Sequence, residues 1–169
     1  MSAFDTAAGA ALERLMAAHV AGDIVAAFAA IDAYAAPVLD QRLCTANRFD
    51  AAAMQVQRLY SSQPGAYPPG GSKDKTGTAW GQQVLIEQRL FVGEGSEAIR
   101  NFFDDHDAIA RLGLRSVINV PVVQAGRCLG TLNFLMKTER VGPQQLHAAR
   151  LAAALALPLF LLDEAARPA

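Results

Sequence analysis

Gly113-Leu114-Arg115-Ser116-Val117-Ile118-Asn119-Val120-Pro121-Val122, followed after Val123-Gln124-Ala125 by Gly126-Arg127-Cys128-Leu129-Gly130-Thr131-Leu132, is the stretch whose reading decides the fold. Residues 114–123 and 127–136 are rich in β-branched and apolar side chains, as central strands are. Gln124-Ala125-Gly126 joins them as a tight hairpin, with Gly126 free to take the positive φ that such a turn requires. Gly130 lets a neighbouring element approach the strand closely. Pro121 has no amide proton for a ladder, so it implies a bulge or a position whose amide faces away from the neighbouring strand.

Upstream of this hairpin, Leu12, Leu15, Met16, His19 and Val20 recur at helical spacing over 6–21, and Gly22 supplies the stop. Asp23 can cap a second helix with the stripe Ile24, Phe28, Ile31, Ala35 and Val38, frayed at Pro37. Alternation over 39–49 and 54–61 predicts a first hairpin turning near Asp50-Ala51-Ala52. The breakers Pro64, Gly65, Pro68, Pro69, Gly70, Gly71 and Gly77 make 63–78 an irregular loop, the kind of segment that forms lids and binding loops. Thr78 can cap a short helix through Trp80, Val84 and Leu85, ahead of an extended piece over 90–93. Ser96 is an N-cap candidate for a helix carrying Ile99, Phe102, Phe103, Ile109 and Leu112 and stopping at Gly113. Pro143 opens the last helix, over 143–166, and Pro158 should kink it.

The 169 residues suit one domain: helices over 1–38, sheet, loop and connecting helices over 39–136, and the C-terminal helix. With 15 Lys and Arg against 16 Asp and Glu, no positive field exists to draw in a phosphate backbone, which argues against nucleic acid as a partner. The two cysteines, Cys44 and Cys128, sit in apolar strands and build neither a disulfide framework nor a zinc spacing, so a reducing cytoplasm is the simplest setting. No basic leader precedes an apolar run. The apolar stretch 151–162 is well short of the ~20 residues that span a bilayer and reads as a buried helix, so no membrane partner is expected.

The hairpin resembles that of the GAF domain, in which an RSxxxVPL strand is followed by a glycine and then by (I/L)GxL; Arg115-Ser116, Val120-Pro121-Val122, Gly126 and Leu129-Gly130-Thr131-Leu132 carry the match. The element order extends the likeness over nearly all of the chain. What the resemblance implies is an α+β, GAF/PAS-like fold. A central antiparallel sheet would carry the N- and C-terminal helices on one face, with loops and short helices over a ligand cavity on the other. It also implies a sensory role, with a small organic ligand and output through a partner chain or a homodimer of the terminal helices. With both flanks used up in helices, no output domain is expected within the chain.

No catalytic constellation emerges. Gly70-Gly71-Ser72-Lys73 lacks the phosphate-loop spacing and reads as a solvated loop. On one continuous helix Asp104 and Asp107 would be neighbours while Asp105 and His106 point elsewhere, which makes 104–107 a solvated acidic face and leaves no metal site. His19 and His147 read as interface histidines. Some GAF-like proteins reduce free methionine sulfoxide with thiols, but an activated, exposed thiolate is what that chemistry needs, and Cys44 and Cys128 sit in apolar strands. Neither the cyclic-nucleotide pattern of the family nor a loop cysteine for a bilin is present. No cofactor is expected.

The residues suited to line a cavity are Tyr60, Trp80, Phe91, Arg115, Ser116, Asn119 and Asn133. Aromatic rings give walls, Arg115 suits a carboxylate or phosphate, and the asparagines both donate and accept. Polar side chains at Asn119 and Asn133 in central strands are costly unless paired or facing a wet pocket. A two-residue turn would put them on opposite sides of the sheet, a three-residue turn on the same side. A structural alternative to the receptor is a dimerisation module with a closed pocket. It draws on the last helix, where Leu146, Leu151, Leu155, Leu159 and Leu162 leave almost no polar side and call for cover by the sheet and by the first helix.

Overall fold

The structure, a computed structural model, describes residues 3–166. Two helices, α1 (Ala3–Ala21) and α2 (Ile24–Leu39), precede the hairpin β1 (Gln41–Asp50) and β2 (Gln55–Ser61). The short strand β3 (Ser72–Asp74), a π-helical turn over Gly81–Ile86 and β4 (Phe91–Glu94) follow, then α3 (Gly95–Phe102) and α4 (His106–Arg111). The chain closes with the hairpin β5 (Ser116–Gln124) and β6 (Arg127–Met136) and the helix α5 (Pro143–Ala165).

All six strands form one antiparallel sheet in the order β3-β2-β1-β6-β5-β4, so the second hairpin supplies the middle of the sheet together with β1. Side chains alternate between two buried layers. Cys44, Ala46, Ile118, Leu132 and Phe134 point to the helices, where Phe28, Ile31 and Phe160 meet them. Leu43, Phe49, Val117 and Leu135 point the other way, against Trp80, Val84, Leu85 and Ile109. An α+β sheet with helices on one face and loops and short helices on the other is thus in place.

The β5–β6 turn has two residues, Ala125 and Gly126, both at positive φ (49° and 75°), as the twist of a two-residue hairpin demands. On its own this turn would set Asn119 and Asn133 on opposite faces. One extra residue, Leu129, bulges out of β6 between the pairs Val123↔Cys128 and Val122↔Gly130, shifts the register by one, and makes Asn119 and Asn133 direct partners on the same face. Pro121 lies next to this bulge and beyond β4, which pairs only with Ser116–Asn119, so one edge of β5 has no partner strand there.

Helix packing is sequential: α1 rests on α2, α2 on α5, and α5 on β5 and β6. The cover of α5 therefore comes from α2, where the apolar pattern alone suggested the first helix. By length and composition α5 could cross a bilayer, yet Ala149, Ala152, Ala156, Leu159 and Phe160 are buried in the core, and the helix continues past Pro158.

Asp23 caps α2 through its Oδ1, which accepts from the Ala26 amide at 2.9 Å. Asp23→Ala is expected to cost about 1 kcal/mol of stability, read as a lowered midpoint in urea; an unchanged midpoint contradicts the assignment.

Two segments depart from the sequence pattern. The glycine- and proline-rich loop is not wholly irregular, because Ser72–Asp74 adds an edge strand to β2. The single helix expected between Ser96 and Gly113 is two helices. Ser96 is not the N-cap, since the helix starts at Gly95 behind Glu94, whose carboxylate accepts from the Val141 amide at 2.7 Å instead. At Phe103 the backbone is extended (φ −128°, ψ 124°), which breaks the periodicity. Tertiary contacts outweigh helix propensity there: the Phe103 ring meets Phe91 edge-on, and Asp105 pairs with Lys73 at 3.1 Å. Gly113 does supply the left-handed stop, at φ 69°.

Candidate functional site

A row of polar side chains crosses the middle of the sheet on the face away from α2 and α5. Thr45 in β1, Asn133 in β6 and Asn119 in β5 are successive cross-strand partners, and all three are buried. Polar groups at such a position must be paired, and these are. The Trp80 indole Nε1, which can only donate, gives its proton to Asn119 Oδ1 at 2.9 Å. That fixes the Asn119 amide, whose Nδ2 donates to Asn133 Oδ1 at 2.7 Å. Asn133 Nδ2 donates in turn to Thr45 Oγ1 at 3.2 Å and to the Thr45 carbonyl at 3.3 Å. The donors run in one direction from Trp80 to Thr45. Thr45 Oγ1 ends the row as an acceptor at the wall of the space above.

That space is a cavity of about 70 Å³. Its floor is the polar row with Leu43, Asn47 and Leu135. Arg58 of β2, Tyr67, Lys73 and Lys75 of the 63–78 segment, Trp80, and Phe103 and Asp105 of the α3–α4 connector form its walls and the rim of a mouth that stays partly open to solvent. The Arg58 guanidinium lies 5.1 Å from the centre of the Tyr67 ring, and the Lys75 ammonium 5.1 Å from that of Trp80, the stacking of cations on ring faces. Burial, and after it the neighbouring Lys73, lowers the Lys75 pKa. Burial works to raise the pKa of Asp105 and is the largest single influence, but Lys73, the backbone amide of Asp105 and Tyr67 together outweigh it and the net shift is downward. Tyr67 is pushed up, by burial first and then by the Asp105 carboxylate; its hydroxyl lies near Asp105 yet closes no hydrogen bond.

Of the seven residues expected to line a cavity, Trp80, Asn119 and Asn133 do so. Phe91 belongs to the same layer but is spent in packing against Phe102 and Phe103. Ser116 is wholly buried and donates to the Thr138 carbonyl at 2.6 Å, and the Arg115 side chain is exposed; neither reaches the cavity. Tyr60 is on the other face of the sheet. A second bulge is the cause: Leu59 is the extra residue between the pairs Asn47↔Arg58 and Ala46↔Tyr60, so Arg58 keeps to the cavity side while Tyr60 turns to the helices. There it stacks on Phe28 and donates to Asp32 at 3.2 Å.

Arg58, Tyr67, Lys73, Lys75 and Asp105 escaped the sequence reading as site residues. The two lysines and Tyr67 lie in the segment already marked as a lid, which was the available signal. Asp105 read as part of a solvated acidic face; it is instead turned onto Lys73. Among the described residues no group of three His, Cys, Asp or Glu could hold a metal ion. A larger cleft of about 440 Å³ opens where the two hairpin turns meet the end of α5, but its arginines are paired, Arg48 with Asp163 at 3.5 Å and Arg127 with Glu164 at 2.8 Å.

A curled antiparallel sheet with helices behind it and a polar cavity in front defines a class of small α+β domains, and residues 8–157 match the family model of the GAF domain. The chain belongs to the GAF domain family. Among solved structures it is similar to the GAF domain of an Acinetobacter phosphoenolpyruvate-protein phosphotransferase (TM-score 0.70, 12% identity, 99% of each chain covered). It is also similar to that of a two-component sensor histidine kinase from Bacillus halodurans (0.65, 11%, 80% of this chain and 91% of that one). The phycocyanobilin-bound GAF domain of a cyanobacterial phytochrome is a third (0.63, 14%, 95% and 98%). At these identities the likeness is one of fold. No curated protein matches the sequence.

Proposed function

We propose that this chain is a cytoplasmic sensory domain that binds a small polar molecule beneath its 63–78 segment, has no reaction of its own, and passes its state to a partner. The observation that carries this reading is the polar row: Thr45, Asn133 and Asn119 face a walled cavity, where an inert core would present apolar side chains. A phycocyanobilin like that of the cyanobacterial neighbour does not suit about 70 Å³, when pockets for ligands of drug size run to about 300–1,000 Å³. Native mass spectrometry against a metabolite panel tests the reading. A stoichiometric adduct is the expected result, and a protein that stays bare throughout would remove it.

The thiols speak against reductase chemistry. Cys44 is fully buried on the helix side, where burial, followed by Asp32, pushes its pKa well up; Cys128 stands on the opposite face and burial pushes it up to about 11. Thiolates are the reactive species. Iodoacetamide at pH 8 is therefore expected to leave both thiols largely unmodified in the time that alkylates the unfolded chain. Cys128 should react as the pH rises toward 11, and Cys44 only on unfolding. Rapid labelling of either at pH 8, read by mass spectrometry, would reopen the enzymatic alternative.

A specific observation favours output through a second copy. Leu12, Met16 and Val20 recur every fourth residue of α1, beside the buried stripe Ala11, Leu15 and Ala18, and are 39%, 65% and 90% exposed. Such a strip is covered at low cost by its own symmetry mate. Light scattering is expected to give a dimer that Met16→Glu dissociates; a monomer at high micromolar concentration excludes this route.

A further inference from the structure

The charge and size of the cavity say which solute suits it, an inference that rests on the sensory reading above. Arg58, Lys73 and Lys75 line it with a single carboxylate, Asp105. Lys73 is paired with that carboxylate. Neither Arg58 nor Lys75 has an ion-pair partner among the described residues; each is held instead over an aromatic face, which keeps a cation attractive while partly stripped of water. The hydrogen-bonding inventory leans the same way. Among the described residues the Tyr67 hydroxyl, on a residue only 7% exposed, and the buried Arg58 Nε have no partner at good hydrogen-bond geometry, although the Asp105 carboxylate faces that hydroxyl, and the Thr45 hydroxyl donates to no acceptor. Asn119 spends its carbonyl oxygen on Trp80, and Asn133 spends its own on the Asn119 amide. Donors and positive charge are in surplus, and the acceptor they lack is one that carries negative charge.

Asp105 also has an odd location. It sits at the end of the extended break between α3 and α4, and its carboxylate reaches across to β3, beside Tyr67 and within the field of Arg58 and Lys75. We propose that the cavity receives the carboxylate of a compact organic acid of a few heavy atoms, and that Asp105 is a built-in competitor for the same cations, displaced from Lys73 when the acid enters. An anion also relieves the repulsion between Lys73 and Lys75. Displacement unlatches the α3–α4 connector from β3, which gives ligand entry a structural consequence away from the cavity.

The test uses pairs of one shape and different charge: formate with formamide, acetate with acetamide, propionate with propionamide. Each is titrated at fixed ionic strength into the whole chain, with the backbone amide resonances of Lys73, Lys75 and Asp105 as readout. The acids are expected to shift these resonances saturably and the amides not. Asp105→Asn is expected to tighten acid binding about tenfold, an ordinary size for coupling between two occupants of one site, and Lys75→Met to weaken it about as much. Lys75 is part-exposed, and its variant is checked for an unchanged melting transition, so a loss there is not a loss of fold. Equal binding of amides and acids, or an Asp105→Asn variant no tighter than the parent, overturns the inference. A cavity that takes neutral members of the metabolite panel but no acid keeps the receptor and removes the anion. Resonances unmoved by acids, amides and the whole panel remove the receptor as well.

Discussion

Gly130→Ala is expected to destabilise the protein by about 3 kcal/mol or more, beyond the middle of the range for overpacking. A methyl group built on Gly130 overlaps the carbonyl oxygen of Asn47 and the ring of Phe160. The carbonyl belongs to β1, paired there with β6, and cannot retreat without opening the ladder at the centre of the sheet. The ring is buried, edge-on to Phe28 at 5.6 Å, in the seam that fixes α5 on the sheet. Trimming Phe160 to leucine relieves only one of the two overlaps, so the double variant should recover part of the loss. Urea unfolding checks this: the midpoint should fall with the slope unchanged, and a parent-like midpoint for Gly130→Ala would mean that α5 does not approach the strand as described.

Asn119→Ala is the second large effect. It removes the acceptor of the Trp80 indole and the donor to Asn133 Oδ1, leaving two buried polar atoms without partners. Each such orphan costs about 1–3 kcal/mol. The void adjoins the cavity, where a water can satisfy one of them, so the net loss is expected to be about 2–3 kcal/mol. Asn133→Ala should cost less, because the one buried amide donor it strands is Asn119 Nδ2, while Thr45 Oγ1 borders the cavity and can take a water instead. The ranking is readable from unfolding curves of the two variants; a parent-like Asn119→Ala would show that the row is not a closed network.

The hairpin at 114–136 carried most of the fold, because its composition, turn residues and Gly130 all require the same arrangement. What the alternation of side chains could not reveal was the two bulges. Leu129 and Leu59 are ordinary strand residues, and nothing in their type marks them as extra, yet one puts Asn133 opposite Asn119 and the other turns Tyr60 away from the cavity. The rim of the cavity was hidden for a different reason. Lys73 and Asp105 are separated by 32 positions and meet only because β3 joins the sheet and the helix breaks at Phe103. Local pattern favoured one helix and a free loop, and long-range pairing prevailed.

Trp80 is the only tryptophan in the chain, and its indole proton is bound to the floor of the cavity while its ring forms part of the wall. Its single indole N–H resonance is therefore the most direct witness to whether a molecule enters. Titrated with the metabolite panel, that resonance should shift saturably with at least one compound, and Asn119→Ala should move it in the unliganded protein. An indole signal that stays fixed for every compound, in a protein shown to be folded, would contradict a receptor built around this cavity.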